Sequence, residues 1–128
     1  MAAKILIIED DKIMMSSTAM VLVETGGCDV VTAMGGAEGL EAARRESPDL
    51  ILLDIMMPEM DGWEVLKHLK SDPITAPIPV LIFTAYELDP GKRDTVRDET
   101  SGLVRKPFEP EELVDIVRRT AASKAEQN

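Results

Sequence analysis

The chain is short of several things, and each shortage excludes something. It has one cysteine, Cys28, in 128 residues, which excludes an internal disulfide framework and a cysteine-rich metal site. A cysteine without such partners reads as a small buried residue. No apolar run approaches the roughly 18 residues of a membrane-spanning helix. The opening "MAAKILIIEDD" also lacks the basic, apolar and small-residue order of a signal peptide. Those absences point to a cytoplasmic protein with no membrane insertion. Positive charge is scarce: 14 Lys and Arg stand against 24 Asp and Glu, for a net charge of -10. Nucleic-acid and anionic-membrane binding both need a basic patch, so neither is expected. No internal repeat or low-complexity tract occurs.

What remains is the composition of a soluble globular chain, 45% hydrophobic and 30% charged. The length suits one domain with a real core. Short apolar runs occur at Ile5–Ile8, Val30–Ala33, Leu50–Leu53, Val80–Phe83 and Gly102–Val104. Segments with helical spacing separate them. After Asp61-Gly62, one stripe carries Gly62, Val65, Leu66 and Leu69, while Glu64, Lys67 and Lys70 fall off it. The last segment places Leu113, Ile116 and Val117 on a stripe behind Pro110 and two acids. Helices are also predicted over Lys12–Glu24 and Ala37–Glu46. Over 87–99 the Pro90-Gly91 pair and the few apolar positions predict a short or late-starting helix. Residues 1–122 are expected to form the domain and 123–128 a frayed tail.

Strands alternating with helices predict a parallel sheet with helices on both faces, which explains apolar runs without polar alternation. Sites in such sheets form at the carboxyl ends of the strands. Glu9, Asp10 and Asp11 follow the first strand, and Asp54 the third. Thr84 and Ala85 follow the fourth, and Arg105, Lys106 and Pro107 the fifth. If the first and third strands are neighbours, Glu9, Asp10 and Asp54 converge and repel one another unless a cation sits among them. A hard divalent ion with oxygen ligands suits such a site, and Mg²⁺ fits few carboxylates with several waters. Lys106 and the Thr84 hydroxyl would face a phosphoryl group from the other side, with a carboxylate as nucleophile. The bland readings are a helix N-cap for Asp11, a turn residue for Asp54, a surface dipeptide for Lys106-Pro107 and no meaning for Thr84-Ala85. Two rival phosphate chemistries fail on residues. A P-loop needs a lysine that "GGAEGLEAA" lacks, and a dehalogenase-type phosphatase needs a second aspartate where Met56 stands.

The blocks "ILIIEDD", "LILLDIMMPEMDGWEVL", "VLIFTA" and "GLVRKPF" together resemble the response-regulator receiver domains of two-component signalling. The intervals agree as well: 44 residues from Asp10 to Asp54, 30 on to Thr84 and 22 on to Lys106. The resemblance implies a flavodoxin-like, doubly wound α/β fold of five parallel strands in order 2-1-3-4-5 with five helices. Asp54 matches the phosphoacceptor, Asp10 the direct Mg²⁺ ligand, and Glu9 the acid acting through a metal-bound water. Met56 matches the position whose backbone carbonyl completes the protein ligands. Thr84 matches the switch hydroxyl, and Lys106 the lysine on the phosphoryl oxygens, followed by a cis peptide to Pro107. Pro58 and Gly62 match the loop that shapes the site. Leu103 stands where the family often has an aromatic residue that turns inward, so coupling to Thr84 would run through aliphatic packing. Met56 and Tyr86 match positions that tune the phosphoryl lifetime, and their bulk predicts slow autodephosphorylation.

The implied function is a stand-alone signalling switch, not an enzyme acting on outside substrates. It would be charged on Asp54 by a histidine kinase or phosphotransfer protein. Its target would meet the face of the fourth helix, fifth strand and fifth helix, with room for a phosphorylation-dependent dimer. The alternatives are an interaction module that needs no phosphorylation and a Mg²⁺-dependent phosphohydrolase. Elsewhere, Met14, Met15 and Met20 read as core filler, with an adaptable contact surface as the alternative, and His68 as solvent-facing. Trp63 is expected to pack on its helix surface.

Overall fold

The computed structural model describes residues 2–57, 59–85 and 87–127, with side chains described through Ala122. The strands are β1 (Lys4–Ile8), β2 (Asp29–Ala33), β3 (Leu50–Asp54), β4 (Val80–Thr84) and β5 (Gly102–Arg105). They pair in the order β2-β1-β3-β4-β5, and every pairing is parallel. The helices are α1 (Lys12–Met20), α2 (Gly36–Glu46), α3 (Gly62–Ser71), α4 (Pro90–Glu99) and α5 (Pro110–Gln127). This is the doubly wound architecture, with its reversal of strand order between β1 and β3.

Period-two alternation within the buried strands sorts their side chains into two cores. Leu6, Ile8, Ile51, Leu53, Val80 and Ile82 pack under α2, α3 and α4. Ile5, Ile7, Leu50, Leu52, Leu81 and Phe83 pack under α1 and α5. Each fully buried aliphatic chain stabilises the fold by about 1.5–3 kcal/mol relative to exposure, before the entropy of ordering is counted.

Helix starts follow local chemistry. The Asp11 carboxylate accepts from the backbone N–H groups of Ile13 and Met14 at 2.9 and 3.1 Å, so the N-cap reading of Asp11 holds. Asp61 caps α3 through the Glu64 N–H at 3.0 Å, and Asp89 caps α4 through the Lys92 N–H at 2.8 Å. Pro90 at the first turn of α4 explains the late start of that helix. The α1 helix runs on into a π-helical turn, Val21–Thr25. Arg118 of α5 fastens that turn by donating to the Gly26 carbonyl at 2.8 Å.

The backbone of 123–127 is part of α5, in keeping with the helix-forming Lys, Ala, Glu and Gln there. Two expectations need adjustment. Met14 and Met15 pack partly against the core, but Met20 is 59% exposed and fills no core. On the last helix Val114 is buried in addition to Leu113 and Val117, and Ile116 is only half-buried. His68 is exposed, and half-buried Trp63 packs against the core on the α3 side.

Candidate functional site

The register of the sheet builds the site. Ile8 of β1 lies opposite Leu53 of β3, so the next residues, Glu9 and Asp54, emerge side by side. Alternation turns both toward the side of α1 and α5, the side of Ile5, Ile7, Leu50 and Leu52. Carboxylate oxygens of Glu9, Asp10 and Asp54 lie within 4.8 Å of one another. Two of these acids are nearly sealed from solvent, Glu9 at 1% and Asp54 at 3% exposure. They border a cleft of about 260 Å³.

Buried like charges at such range need a counter-charge, and Lys106 supplies it. The β4–β5 pairing continues past the strand ends, where the Lys106 N–H donates to the Thr84 carbonyl at 2.8 Å. The Lys106–Pro107 peptide is cis. The Lys106 ammonium lies 2.9 Å from Glu9 Oε2 and 3.6 Å from Asp54 Oδ1. Asp54 Oδ1 also accepts from the Met56 backbone N–H at 3.1 Å, and Glu9 Oε1 from the Asp11 N–H at 3.3 Å. Burial, then hydrogen bonding with Glu9, pushes the Asp54 carboxyl up to about 7, against the opposing pull of the Met56 amide and Lys106.

A carboxylate at a rigid strand end, flanked by two further acids and one ammonium, can present an oxygen to an electrophile. The donor set fits a hard divalent cation such as Mg²⁺: oxygen donors only, from three acids of which Asp10 is half-open to solvent. Glu9 and Asp54 are buried acids whose mutual repulsion such an ion would relieve.

Of the residues expected at the site, Glu9, Asp10, Asp54, Met56 and Lys106 all line this cleft. Met56 contributes its N–H to Asp54, and its side chain is 55% exposed at the rim. Thr84 is fully buried at the end of β4. Its alternation with Ile82 puts it on the α4 side of the sheet, one residue before Ala85 at the cleft. Leu103 pairs with Ile82 and packs half-buried on that same side, away from the acids. Gly62 is buried against β3, where an added Cβ would stand 2.6 Å from the Asp54 carbonyl oxygen; only glycine permits this approach. Pro107 is exposed. Pro58 and Tyr86 lie outside the described residues.

Sequence reasoning overlooked two residues. Met14 lines the cleft from the first turn of α1, a position visible once Asp11 is taken as its cap. Phe83 carries the Lys106 ammonium 4.5 Å from its ring centroid. No pattern within one strand marked it, since its place beside Asp54 depends on register.

Fold and site thus define a doubly wound α/β domain with a lysine-bridged acidic cleft at the carboxyl edge of its sheet. The family model of the response regulator receiver domain matches residues 5–118, and the chain belongs to that family. PilH of Pseudomonas aeruginosa is 34% identical over 124 residues, which cover 94% of this chain and 98% of PilH. The DNA-binding dual master transcriptional regulator RpaA of Synechocystis sp. is 38% identical over 115 residues, 90% of this chain but 47% of RpaA. The chain therefore spans about half the length of the curated relatives of that kind that it matches. Among solved structures, the chemotaxis protein CheY4 of Vibrio cholerae superposes with a TM-score of 0.85 at 30% identity, covering 94% of this chain and 99% of CheY4. The receiver fold is that of a regulatory phosphoacceptor domain in two-component signalling. Among the described residues no helix is long and apolar enough to cross a membrane.

Proposed function

We propose that this chain is a phosphorylation-driven signalling switch whose phosphoacceptor is Asp54. The observation that carries the reading is the convergence of Glu9, Asp10 and Asp54 within 4.8 Å around the Lys106 ammonium. A carboxylate oxygen of Asp54 attacks phosphorus, forming a P–O bond as the P–N bond of a donor phosphohistidine breaks. The leaving imidazole then takes up a proton. Glu9, Asp10 and Asp54 would hold Mg²⁺, which when bound would neutralise charge on the phosphoryl oxygens. Lys106 offers a second positive charge to the same oxygens. The Met56 N–H orients the Asp54 carboxylate, and buried strand ends on either side limit its motion.

The modification replaces the Asp54 carboxylate with an acyl phosphate carrying about two negative charges beside two further acids, enough to bias an equilibrium between two arrangements of the domain. Thr84 and Leu103 lie on the α4 side of β4 and β5 and would carry that bias toward the α4–β5–α5 face, where a target protein would bind. The donor would be a histidine kinase or phosphotransfer protein, and cytoplasmic work suits such a partner.

The test is incubation with Mg²⁺ and acetyl phosphate, followed by intact mass. A single phosphoryl adduct that is lost in Asp54→Asn is expected. No adduct would favour a module that works without phosphorylation. Turnover of acetyl phosphate without an adduct would favour a phosphohydrolase.

A further inference from the structure

Phe83 has no part in the chemistry above, yet it adjoins two of the charged groups in it, Asp54 and Lys106. It is the register partner of Asp54 across β3 and β4, and of Val104 across β4 and β5. Register partners in a parallel sheet point to the same face. The ring therefore lies beside the Asp54 carboxylate, on the line from β5 to β3, and it is only 1% exposed. Lys106 leaves β5 and crosses this ring, with its Nζ 4.5 Å from the centroid. Phe108, from the loop that carries Lys106, packs on the ring at 5.5 Å between centroids and 47° between planes.

A lysine stem has four carbons and many rotamers, and its ammonium is a point charge without directional preference. Two carboxylates attract it without fixing its height above the sheet. A ring face does fix it, because the quadrupole draws a cation onto the face, most strongly where water is excluded. An aliphatic residue would fill the same volume and supply no such field.

We propose that Phe83 is a positioning residue for phosphoryl transfer: its ring face, backed by Phe108, holds the Lys106 ammonium between Glu9 and Asp54. The positive charge then stands at the acceptor oxygen before a phosphoryl group arrives, so no reorganisation is needed at the moment of reaction. The inference rests on the reading of Asp54 as phosphoacceptor.

Site-specific incorporation of mono-, di- and trifluorinated phenylalanine at position 83 tests it, because fluorine drains the ring quadrupole with little change of shape. Two quantities are read: the rate of phosphorylation by acetyl phosphate with Mg²⁺, and the ring-current shift of the Lys106 Cε protons in metal-free protein. The rate is expected to fall stepwise, by about tenfold across the series. The upfield Cε shift should shrink in parallel and vanish in Phe83→Leu. A rate independent of fluorination, or Cε protons unshifted in the parent chain, would overturn the inference while leaving Asp54 as phosphoacceptor. If the parent chain takes up no phosphoryl group, the phosphoacceptor reading falls and this inference falls with it.

Discussion

Asp54 is a buried carboxyl held close to a second buried acid. Its carboxyl is pushed up to about 7 from 3.8 by burial and by Glu9, so the folded state resists its ionisation more than the unfolded state does. The unfolded chain loses this proton near 3.8 and the folded chain near 7. Any stability linked to keeping it is therefore fully present below the lower value and lost as pH rises through the upper one. In chelator-treated protein, Asp54→Asn should be more stable than the parent, with a gap that is wider at about pH 8 than at about pH 5. Urea denaturation at the two pH values measures it, and a gap that narrows with rising pH would contradict the assignment. Met56 makes a second prediction at this scale. Its half-exposed side chain borders the cleft beside Asp54, where an apolar group hinders the approach of water to a phosphoryl group. Met56→Asn should shorten the lifetime of the aspartyl phosphate several-fold, and an unchanged decay would show that the side chain does not tune it.

Among the elements, α3 is bound most tightly to the chemistry, because its first residue touches the strand that carries Asp54. The Gly62 N–H donates to the Ile55 carbonyl at 3.1 Å, and a Cβ there would collide with the Asp54 carbonyl oxygen. Gly62→Ala should cost about 1–3 kcal/mol in denaturant unfolding, the usual range for overpacking; no loss would mean that the loop yields freely. The α4 helix is the opposite case, with Val96 its only buried residue. Its amides should exchange with solvent faster than those of α3, which buries Gly62, Val65, Leu66 and Leu69. Equal protection would count against α4 as the element that responds to the switch. Sequence patterning separated these two helices in advance. The α3 stripe is regular, whereas Pro90, Gly91 and a run of charges left α4 with almost nothing to bury. The π-helical turn after α1 could not be seen that way, and neither could the hydrogen bond that Arg118, from the far end of the chain, donates to the Gly26 carbonyl beside it.

At the scale of the whole molecule, the alternation of strands and helices was enough to expect a parallel sheet, and family resemblance supplied its strand order. The acidic site was legible because its residues follow strands directly, and a strand end transmits position with little slack. What stayed hidden was lateral: which side chains meet across the sheet depends on register, which no single strand reveals. Phe83 beneath Lys106 is one such relation, and the placing of Thr84 and Leu103 on the α4 side is another. The proposed chemistry centres on one carboxylate, so the decisive measurement is the position of the phosphoryl group. Borohydride reduces an acyl phosphate to an alcohol, which converts a phosphorylated aspartate to homoserine. After treatment with Mg²⁺ and acetyl phosphate, peptide mapping should find homoserine at position 54 and nowhere else. Homoserine at another position, or at none, would contradict the account.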